Sequence, residues 1–250
     1  MSEDRPFVLT VAGLDPSGGA GILADIKTFE QHKVTGFAVS TANTIQTENQ
    51  FYEIQWTDLS FVIRSVETLL LHYKISVVKI GIVSSLHDLN RIISTIKMLS
   101  PTTKIVWDPV LKSTTKFEFM NIGNHSDLSK LLSKIDLITP NYQEIKVLFP
   151  DFFLNDNFSQ SEIQTNILLK GGHNPTEPGT DILFLKNEVL KLLPLEKICS
   201  EKHGSGCVLS SAIAANLALN QSISTACKSA KIYIENYLSS TKTLIGHHYV

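Results

Sequence analysis

The chain has 250 residues, of which 43% are hydrophobic, and a formal net charge of −2 at neutral pH. One sizeable core fits this length, and the small charge gives no general attraction to nucleic acid or to an anionic membrane. Three cysteines without metal-ligand spacing favour a reducing compartment over a disulfide framework. The N-terminal residues lack the basic start of a secretory signal, and the apolar stretch 208–219 is too short to span a bilayer. We therefore expect a soluble cytoplasmic protein.

Short β-branched runs alternate with amphipathic segments along most of the chain. The runs predict buried strands at residues 7–12, 37–41, 77–82, 104–107, 137–139 and 167–170. The segments between them predict helices at residues 22–31, 59–73, 86–99, 128–132 and 143–148. This alternation requires crossover connections, which give a parallel sheet covered on both faces. We predict one doubly wound α/β domain over residues 1–250.

Two regions interrupt this alternation. Residues 43–56 are polar with a few interspersed apolar side chains, which is typical of a loop or a small hairpin at the sheet edge. Residues 173–180 form a turn-rich loop before a hairpin predicted at residues 182–185 and 189–192.

A glycine-rich stretch, Gly-Leu-Asp-Pro-Ser-Gly-Gly-Ala-Gly at residues 13–21, follows the first strand and leads into a helix that carries Asp25. Ligands bind at the carboxyl ends of parallel strands, and glycines let the backbone approach them closely. The stretch is not a P-loop, because no Gly-Lys-Ser/Thr follows. A glycine turn that serves only the strand-to-helix geometry explains the pattern equally well.

A second glycine-rich motif, His-Gly-Ser-Gly-Cys at residues 203–207, runs directly into a helix predicted at residues 208–219. Small residues at a helix N-terminus present backbone N–H groups to an anion, and a cysteine there is expected to have a lowered pKa. Alternatively, Cys207 is a small buried hydrophobe at a tight packing point. The flanking Gly204, Ser205 and Gly206 favour a base or nucleophile.

Polar residues also follow three later strands. Asp108 ends one strand, and Asn141 and Glu144 follow the next. The carboxylates of Asp108 and Glu144 are therefore candidates for holding Mg²⁺ and its waters. Helix capping by Asn141 and a first-turn charge at Glu144 are the structural alternatives. Lys170 ends another strand and is a candidate phosphate contact, or else an ordinary solvated lysine.

The combined motifs resemble the hydroxymethylpyrimidine/phosphomethylpyrimidine kinases of thiamine biosynthesis. The matching segments follow one another at residues 12–29, 79–81, 108–110, 137–141, 170–173, 203–215 and 247–249. The resemblance implies a ribokinase-like fold and two successive phosphoryl transfers from ATP with Mg²⁺. The first transfer goes to the hydroxymethyl oxygen of a small pyrimidine and the second to the resulting monophosphate. A homodimer is also implied.

By position, the resemblance also implies roles for single residues. It places the substrate against Gly13, Asp25, Gln46, Ile82 and Val110. It gives metal binding to Asp108 and Glu144, nucleotide contacts to Asn141 and Lys170, an anion hole to residues 204–206, and the role of catalytic base to Cys207.

The chain departs from the family pattern at several positions. Leu14 stands where Ser or Thr is usual, Ile82 where Met is frequent, and Ser205 where Thr is usual. Residues 112–119 do not follow the usual pattern, and 159–166 is shorter than the helix expected there. A pyridoxal kinase of the same group is therefore an alternative, as is a catalytically inactive binding protein on the kinase fold, although the intact chemical residues argue against the latter.

Overall fold

The computed structural model describes residues 5–112, 117–122, 125–153 and 164–249, and the strands of this part of the chain form one sheet. The nine strands are β1 (Phe7–Leu14), β2 (Thr35–Gln46), β3 (Phe51–Trp56), β4 (Ile75–Ile80), β5 (Lys104–Trp107), β6 (Leu137–Ile138), β7 (Asn166–Leu169), β8 (Asp181–Leu185) and β9 (Glu188–Leu192). Their order is β3-β2-β1-β4-β5-β6-β7-β8-β9. The six strands from β2 to β7 in this order run parallel to one another. At the edges, β3 pairs antiparallel with β2, β8 with β7, and β9 with β8. The predicted mostly parallel, doubly wound sheet is confirmed.

Helices cover both faces of this sheet. They are α1 (Gly21–Gln31), α2 (Leu59–His72), α3 (Leu86–Leu99), α4 (His125–Leu132), α5 (Tyr142–Leu148), α6 (Ser205–Ala218) and α7 (Ile223–Ser239). Residues of α2, α3, α4 and α5 share one hydrophobic core with the sheet, and residues of α1, α6 and α7 share the other. This arrangement is the ribokinase-like α/β fold.

Alternate residues of the central strands serve the two cores. In β1, Leu9 and Val11 belong to the core beneath α2 and α3, while Val8 belongs to the core beneath α1 and α6. Successive side chains of a strand point to opposite faces, so a strand covered on both sides must be apolar at every position. This is why these strands appear in the sequence as continuous apolar runs.

Helix α6 is the most deeply buried helix of the described residues. All eleven residues from Val208 to Ala218 are buried, since α6 lies between the sheet, α1 and α7. A helix that is apolar on all sides requires such a central position. Its N-terminus is consequently held inside the molecule, at the carboxyl ends of the strands.

The structure refines several predicted elements. Residues 43–56 form the hairpin alternative, because β2 continues to Gln46 and β3 returns antiparallel to it. Helix α7 had not been predicted, since Lys231 and Glu235 occupy buried positions and interrupt its apolar pattern. The strand predicted at residues 77–82 ends at Ile80. Most of the unusual segments 112–119 and 159–166 lies outside the described residues.

The order of the strands creates a crevice at one edge of the sheet. Strand β1 lies between β2 and β4, so the chain winds away from β1 in both directions. Ligands of open α/β sheets bind at the carboxyl ends of the strands beside such a reversal. The segment after β1 and the start of α6 both meet at this place.

The core beneath α3 offers a test of this packing. We expect Ile96→Ala, which removes a fully buried side chain, to lower the free energy of unfolding by about 2–5 kcal/mol. Met98→Ala, on the same helix but 70% exposed, should change it by less than about 0.5 kcal/mol. Urea titrations followed by circular dichroism measure both, and equal midpoints for the two variants would contradict this packing.

Candidate active site

A cavity of about 830 Å³ lies at the carboxyl ends of the parallel strands. Its volume is within the usual range for small-molecule sites. With the exception of Asp25, every residue predicted for the site lines it: Gly13, Gln46, Ile82, Asp108, Val110, Asn141, Glu144, Lys170, Gly204, Ser205, Gly206 and Cys207. Residues from seven separate stretches of the chain are thus gathered around one space.

The loop at residues 15–20, here called the first glycine loop, is organised by the carboxylate of Asp15. This carboxylate accepts hydrogen bonds from the backbone and hydroxyl of Ser17, both at 2.8 Å, and from the Ala20 N–H at 2.9 Å. Gly21 follows with a φ of 57°, and a Cβ atom there would lie 2.2 Å from the Gly13 carbonyl oxygen. Glycine is therefore required at position 21, because the chain turns into α1 against its own strand.

The segment at residues 203–206, here called the second glycine loop, leads into α6. Gly204 has a φ of 72°, and a Cβ atom there would lie 2.0 Å from the Gly19 carbonyl oxygen. At Gly206 a Cβ atom would lie 3.2 Å from Lys170 Nζ. The start of α6 therefore exposes backbone N–H groups and the positive helix end beside a lysine, which is an arrangement suited to a phosphate group.

Lys170 lies between two carboxylates. Its Nζ atom is 2.8 Å from Asp108 Oδ1 and 3.7 Å from Glu144 Oε2. Burial alone would lower the pKa of Lys170, but the two carboxylates outweigh it and raise the pKa, so the ammonium is charged. The prediction that Lys170 is an ordinary solvated lysine is excluded by this burial.

Asn141 and Glu144 begin α5 with a reciprocal capping box. Asn141 Oδ1 accepts hydrogen bonds from the backbone of Gln143 and Glu144, and Glu144 Oε2 accepts one from the Asn141 N–H at 2.7 Å. The capping alternative for Asn141 is thus realised. Burial raises the pKa of Glu144 to about 7, with Lys170 opposing the rise.

Asp25, expected at the substrate, lies behind the cavity wall and does not line the cavity. Both its oxygens accept hydrogen bonds from Lys79 Nζ, at 3.0 and 2.9 Å, and the two side chains are fully buried. The hydroxyls of Thr10 and Ser211 each donate a further bond of 2.6 Å to it. An unpaired buried carboxylate is very unfavourable, so Asp25 serves as the counter-ion of Lys79. Lys79 itself lines the cavity.

The lowered pKa expected for Cys207 is not found. Burial raises the pKa of Cys207 to about 11, although the Lys79 ammonium and a hydrogen bond from the Gly21 N–H oppose the rise. The carboxylates of Asp108 and Asp25 favour the neutral form as well. The helix N-terminus was the reason for the expectation, but removal of water around the sulfur outweighs it. Cys207 is thus a protonated thiol at neutral pH.

One end of the cavity has the character of a site for a flat polar ring. Gln46 lies there and donates through Nε2 to Thr44 Oγ1 at 2.9 Å, which leaves its carbonyl oxygen without a recorded partner in the described structure. Ile82, Val110 and Phe119 supply apolar surface. The ring of Phe119 meets that of Phe51 at 5.5 Å, next to Gln46 in the β2–β3 hairpin.

The opposite end of the cavity was missed by sequence reasoning. Its lining comes from segments 178–181 and 194–202 and from α7. Pro194, Leu195, Ile234 and Leu238 give it an apolar surface. Lys231 there is 3.1 Å from both Asp181 and Glu235. Sequence reasoning also gave no role to three further residues that line the cavity. Asp15 and His203 lie within the two glycine-rich motifs, and Lys79 lies in β4.

A divalent cation fits one of the two predicted carboxylates better than the other. The oxygens of Asp108 already accept bonds from Lys170, Thr139 and Ser210, and its side chain is fully buried. Glu144 has one oxygen, Oε1, for which the described structure records no partner. No group of three or more metal-ligating side chains is gathered among the described residues. The donor set suits Mg²⁺, which binds few carboxylates and keeps several waters.

Comparisons with known proteins agree with this geometry. A family model described as phosphomethylpyrimidine kinase matches residues 15–250. The chain is 32% identical over 246 residues to the hydroxymethylpyrimidine/phosphomethylpyrimidine kinase of Aquifex aeolicus, and the match covers 95% of this chain and 96% of that one. The chain belongs to the phosphomethylpyrimidine kinase family.

Solved structures of two kinases resemble the fold. The phosphomethylpyrimidine kinase of Clostridium difficile 630 is 31% identical, with a TM-score of 0.76 over 92% of this chain and 98% of that one. The pyridoxal kinase of Staphylococcus aureus in complex with AMP-PCP is 25% identical, with a TM-score of 0.81 over 94% and 89%. Because a phosphomethylpyrimidine kinase and a pyridoxal kinase are both similar to this chain in fold, the fold alone does not distinguish their two activities.

Two further findings concern the length of the relatives and the presence of membrane-spanning helices. The chain spans about half the length of several curated relatives that it matches, 46% in one case and 48% in another. In the part of the chain that the structure describes, no helix is both long enough and apolar enough to cross a membrane.

The Lys79–Asp25 pair offers a test of the cavity wall. We expect Lys79→Met to lower the free energy of unfolding by about 3–5 kcal/mol, because it leaves the Asp25 carboxylate buried without a counter-ion. Adding Asp25→Asn should restore most of the loss, since the amide carries no charge that needs a counter-ion and its oxygen still accepts from one of the two hydroxyls, Thr10 or Ser211. Arg5→Met, which breaks an exposed pair with Glu30, should cost less than about 1 kcal/mol. Urea unfolding measures all three, and no recovery in the double variant would contradict the pairing.

Proposed function

We propose that this chain transfers the γ-phosphoryl group of ATP to the hydroxymethyl oxygen of 4-amino-5-hydroxymethyl-2-methylpyrimidine and then phosphorylates the monophosphate. The observation that carries the proposal is the convergence of Cys207, the second glycine loop and Lys170 on one cavity, with Gln46 at its far wall. The family membership supports the same reaction. A single kinase domain in the cytoplasm, working as a homodimer, remains our prediction.

The residues divide the reaction into binding, orientation and proton transfer. Bound Mg²⁺ would neutralise charge on the phosphates, and Glu144 is the residue that would hold it through water. Lys170 and the backbone N–H groups of residues 204–206 would hold the transferring phosphoryl group. The apolar end formed by Pro194, Leu195 and α7 suits the adenine base. AMP-PCP bound to the pyridoxal kinase of Staphylococcus aureus supports a nucleotide on this fold.

The first transfer moves one proton. The hydroxymethyl oxygen forms a bond to the γ-phosphorus while the bond from that phosphorus to the bridging oxygen of ADP breaks. The hydroxyl proton passes to the thiolate form of Cys207, which is the minor form at neutral pH. The second transfer begins from an ionised phosphate oxygen and therefore needs no base.

Substrate choice tests the proposal directly. We expect ADP release with hydroxymethylpyrimidine, dependent on added Mg²⁺, and little with ribose, because Gln46 and the apolar ring end suit a heteroaromatic alcohol. Mass spectrometry should detect both the mono- and the diphosphate. The Cys207→Ala variant, purified identically, reports contaminating kinases. A higher kcat/KM for ribose than for the pyrimidine would refute the assignment.

Pyridoxal is the second candidate substrate for the same assay. It carries a hydroxymethyl group on a heteroaromatic ring, and the pyridoxal kinase of Staphylococcus aureus resembles this fold. Ile82 and Leu14, the residues that depart from the family pattern, both line the cavity and can alter ring preference. A higher kcat/KM for pyridoxal than for the pyrimidine would establish this alternative.

The pH dependence of the first step tests Cys207. Because the pKa of Cys207 is raised to about 11, the thiolate fraction grows as pH rises. From pH 8 to 10, above the range in which Glu144 titrates, we expect kcat/KM for the alcohol to increase about tenfold per pH unit and the rate for the monophosphate to stay flat. Cys207→Ala should slow the first step by roughly two to four orders of magnitude and the second much less.

Cys227→Ala is the matched control, since this cysteine is buried in α7 and does not line the cavity. It should leave both rates and both pH profiles unchanged. Equal losses in both steps for Cys207→Ala would show a packing role in place of proton transfer.

A further inference from the structure

A side-chain contact joins the two glycine loops, although 188 residues separate its partners in the sequence. His203 Nε2 lies 2.8 Å from Asp15 Oδ2. The side chains of His203 and Asp15 are only 9% and 1% exposed, and both residues line the cavity. Neither had been given a role in the reaction.

Each partner is fixed in its own loop. The Asp15 carboxylate holds Ser17 and Ala20, which sets the shape of the first glycine loop up to the start of α1. The His203 N–H donates to the Leu244 carbonyl oxygen at 2.9 Å, and His203 directly precedes Gly204 of the second glycine loop. A displacement of either side chain is therefore transmitted to a loop that lines the cavity.

The protonation of the pair follows from its surroundings. Burial alone would raise the pKa of Asp15, but hydrogen bonds from His203 and Ser17 outweigh it and lower the pKa. Asp15 is thus a carboxylate and can only accept, so Nε2 of His203 carries the proton and donates it.

The other ring nitrogen, Nδ1 of His203, is buried and has no hydrogen-bond partner among the described residues. The contact of Nε2 with Asp15 is therefore the side-chain hydrogen bond that orients this ring in that part of the chain.

The two loops also touch through their backbones. The Gly19 carbonyl oxygen lies so close to Gly204 that no side chain fits there, and a Cβ atom at Gly19 would lie 2.8 Å from the His203 ring. The two loops are consequently packed directly against each other. The first leads from Gly13, on the proposed substrate side of the cavity, and the second leads to Gly206, on the proposed phosphate side.

We propose that Asp15 and His203 are positioning residues that hold the two glycine loops in register, so that the acceptor oxygen lies in line with the transferring phosphorus. This role rests on the proposed function. Each loop still binds its own ligand when the contact is lost, but the two ligands no longer align. Misplacement by about 1 Å lowers the rate of a positioned reaction by roughly a hundredfold.

The expected signature is a split between kcat and KM. His203→Leu should lower kcat by about a hundredfold, with KM for ATP and for the alcohol changed less than about threefold. His203→Gln, whose amide can still donate to Asp15, should recover most of the rate. In a double-mutant cycle, the losses of Asp15→Asn and His203→Leu should be less than additive, because both weaken the same contact, although Asp15→Asn also weakens the bonds to Ser17 and Ala20. His32→Leu is the control. In the described structure this histidine hydrogen-bonds only to Thr28 at the end of α1 and meets Tyr233 edge to face, and it does not line the cavity.

Hydrogen–deuterium exchange of the ligand-free protein tests the contact without any assay of activity. In His203→Leu, the amides of residues 15–20 and 203–206 should exchange faster together, while those of β4 stay protected; His32→Leu should alter neither loop. Unchanged exchange in both loops overturns the proposal whatever the kinase assay gives. If the wild-type chain phosphorylates no alcohol, the proposed function fails, while coupled exchange of the loops would still support their linkage.

If His203→Leu does not fold, Asp15→Asn carries the same measurements, read at the amides of residues 203–206, and His203→Gln remains the variant that keeps the contact. Equal increases in both KM values with an unchanged kcat, or a loss of rate that only follows the fall in Tm, would mean that the pair serves binding or stability and would overturn the positioning role.

Discussion

The position of α6 depends on two buried carboxylates, Asp108 in the cavity lining and Asp25 behind the cavity wall. Ser211 donates to Asp25 at 2.6 Å and Ser210 donates to Asp108 at 3.3 Å, both within the first two turns of the helix. Each carboxylate is paired with a lysine from a strand or its end, Lys79 or Lys170. The apolar sides of α6 determine that it is buried, whereas these polar contacts determine where it begins.

The same charges control the chemistry of Cys207. A helix N-terminus and the Lys79 ammonium favour the thiolate, but Lys79 is already neutralised by Asp25, and Asp108 faces Lys170. With the positive charges paired, the loss of solvation dominates and the thiol stays protonated. Such a thiol reacts slowly with electrophiles at neutral pH, and in the proposed first transfer it accepts the proton through its minor thiolate form. Its chemistry therefore depends on alignment of the loops around it.

The cavity combines a ring-binding end, a charged middle and an apolar end within one continuous space. The middle is contributed by the central strands β1, β4, β5, β6 and β7, whose carboxyl ends meet there. The two ends come from peripheral elements, namely the β2–β3 hairpin and the segments that pack on α7. The charged middle is suited to phosphoryl transfer in general, and the peripheral elements are where a phosphomethylpyrimidine kinase and a pyridoxal kinase can differ on one fold.

The sequence by itself determined the alternation of strands and helices, because a strand buried on both faces must be apolar at each position. It also determined the glycine-rich motifs, since Gly21 and Gly204 stand where a side chain would strike the neighbouring backbone. Only the tertiary structure decided which side chains from distant segments contact one another and which of them are buried. The family resemblance placed Asp25 beside the substrate, and the glycine-flanked helix start predicted a lowered pKa for Cys207, but Asp25 faces Lys79 and burial raises the pKa of Cys207. Helix α7 was missed because its buried Lys231 and Glu235 are polar, and Asp15 and His203 are separated by most of the chain. Pairing and desolvation depend on which residues meet in space, and one-dimensional patterns do not contain that information.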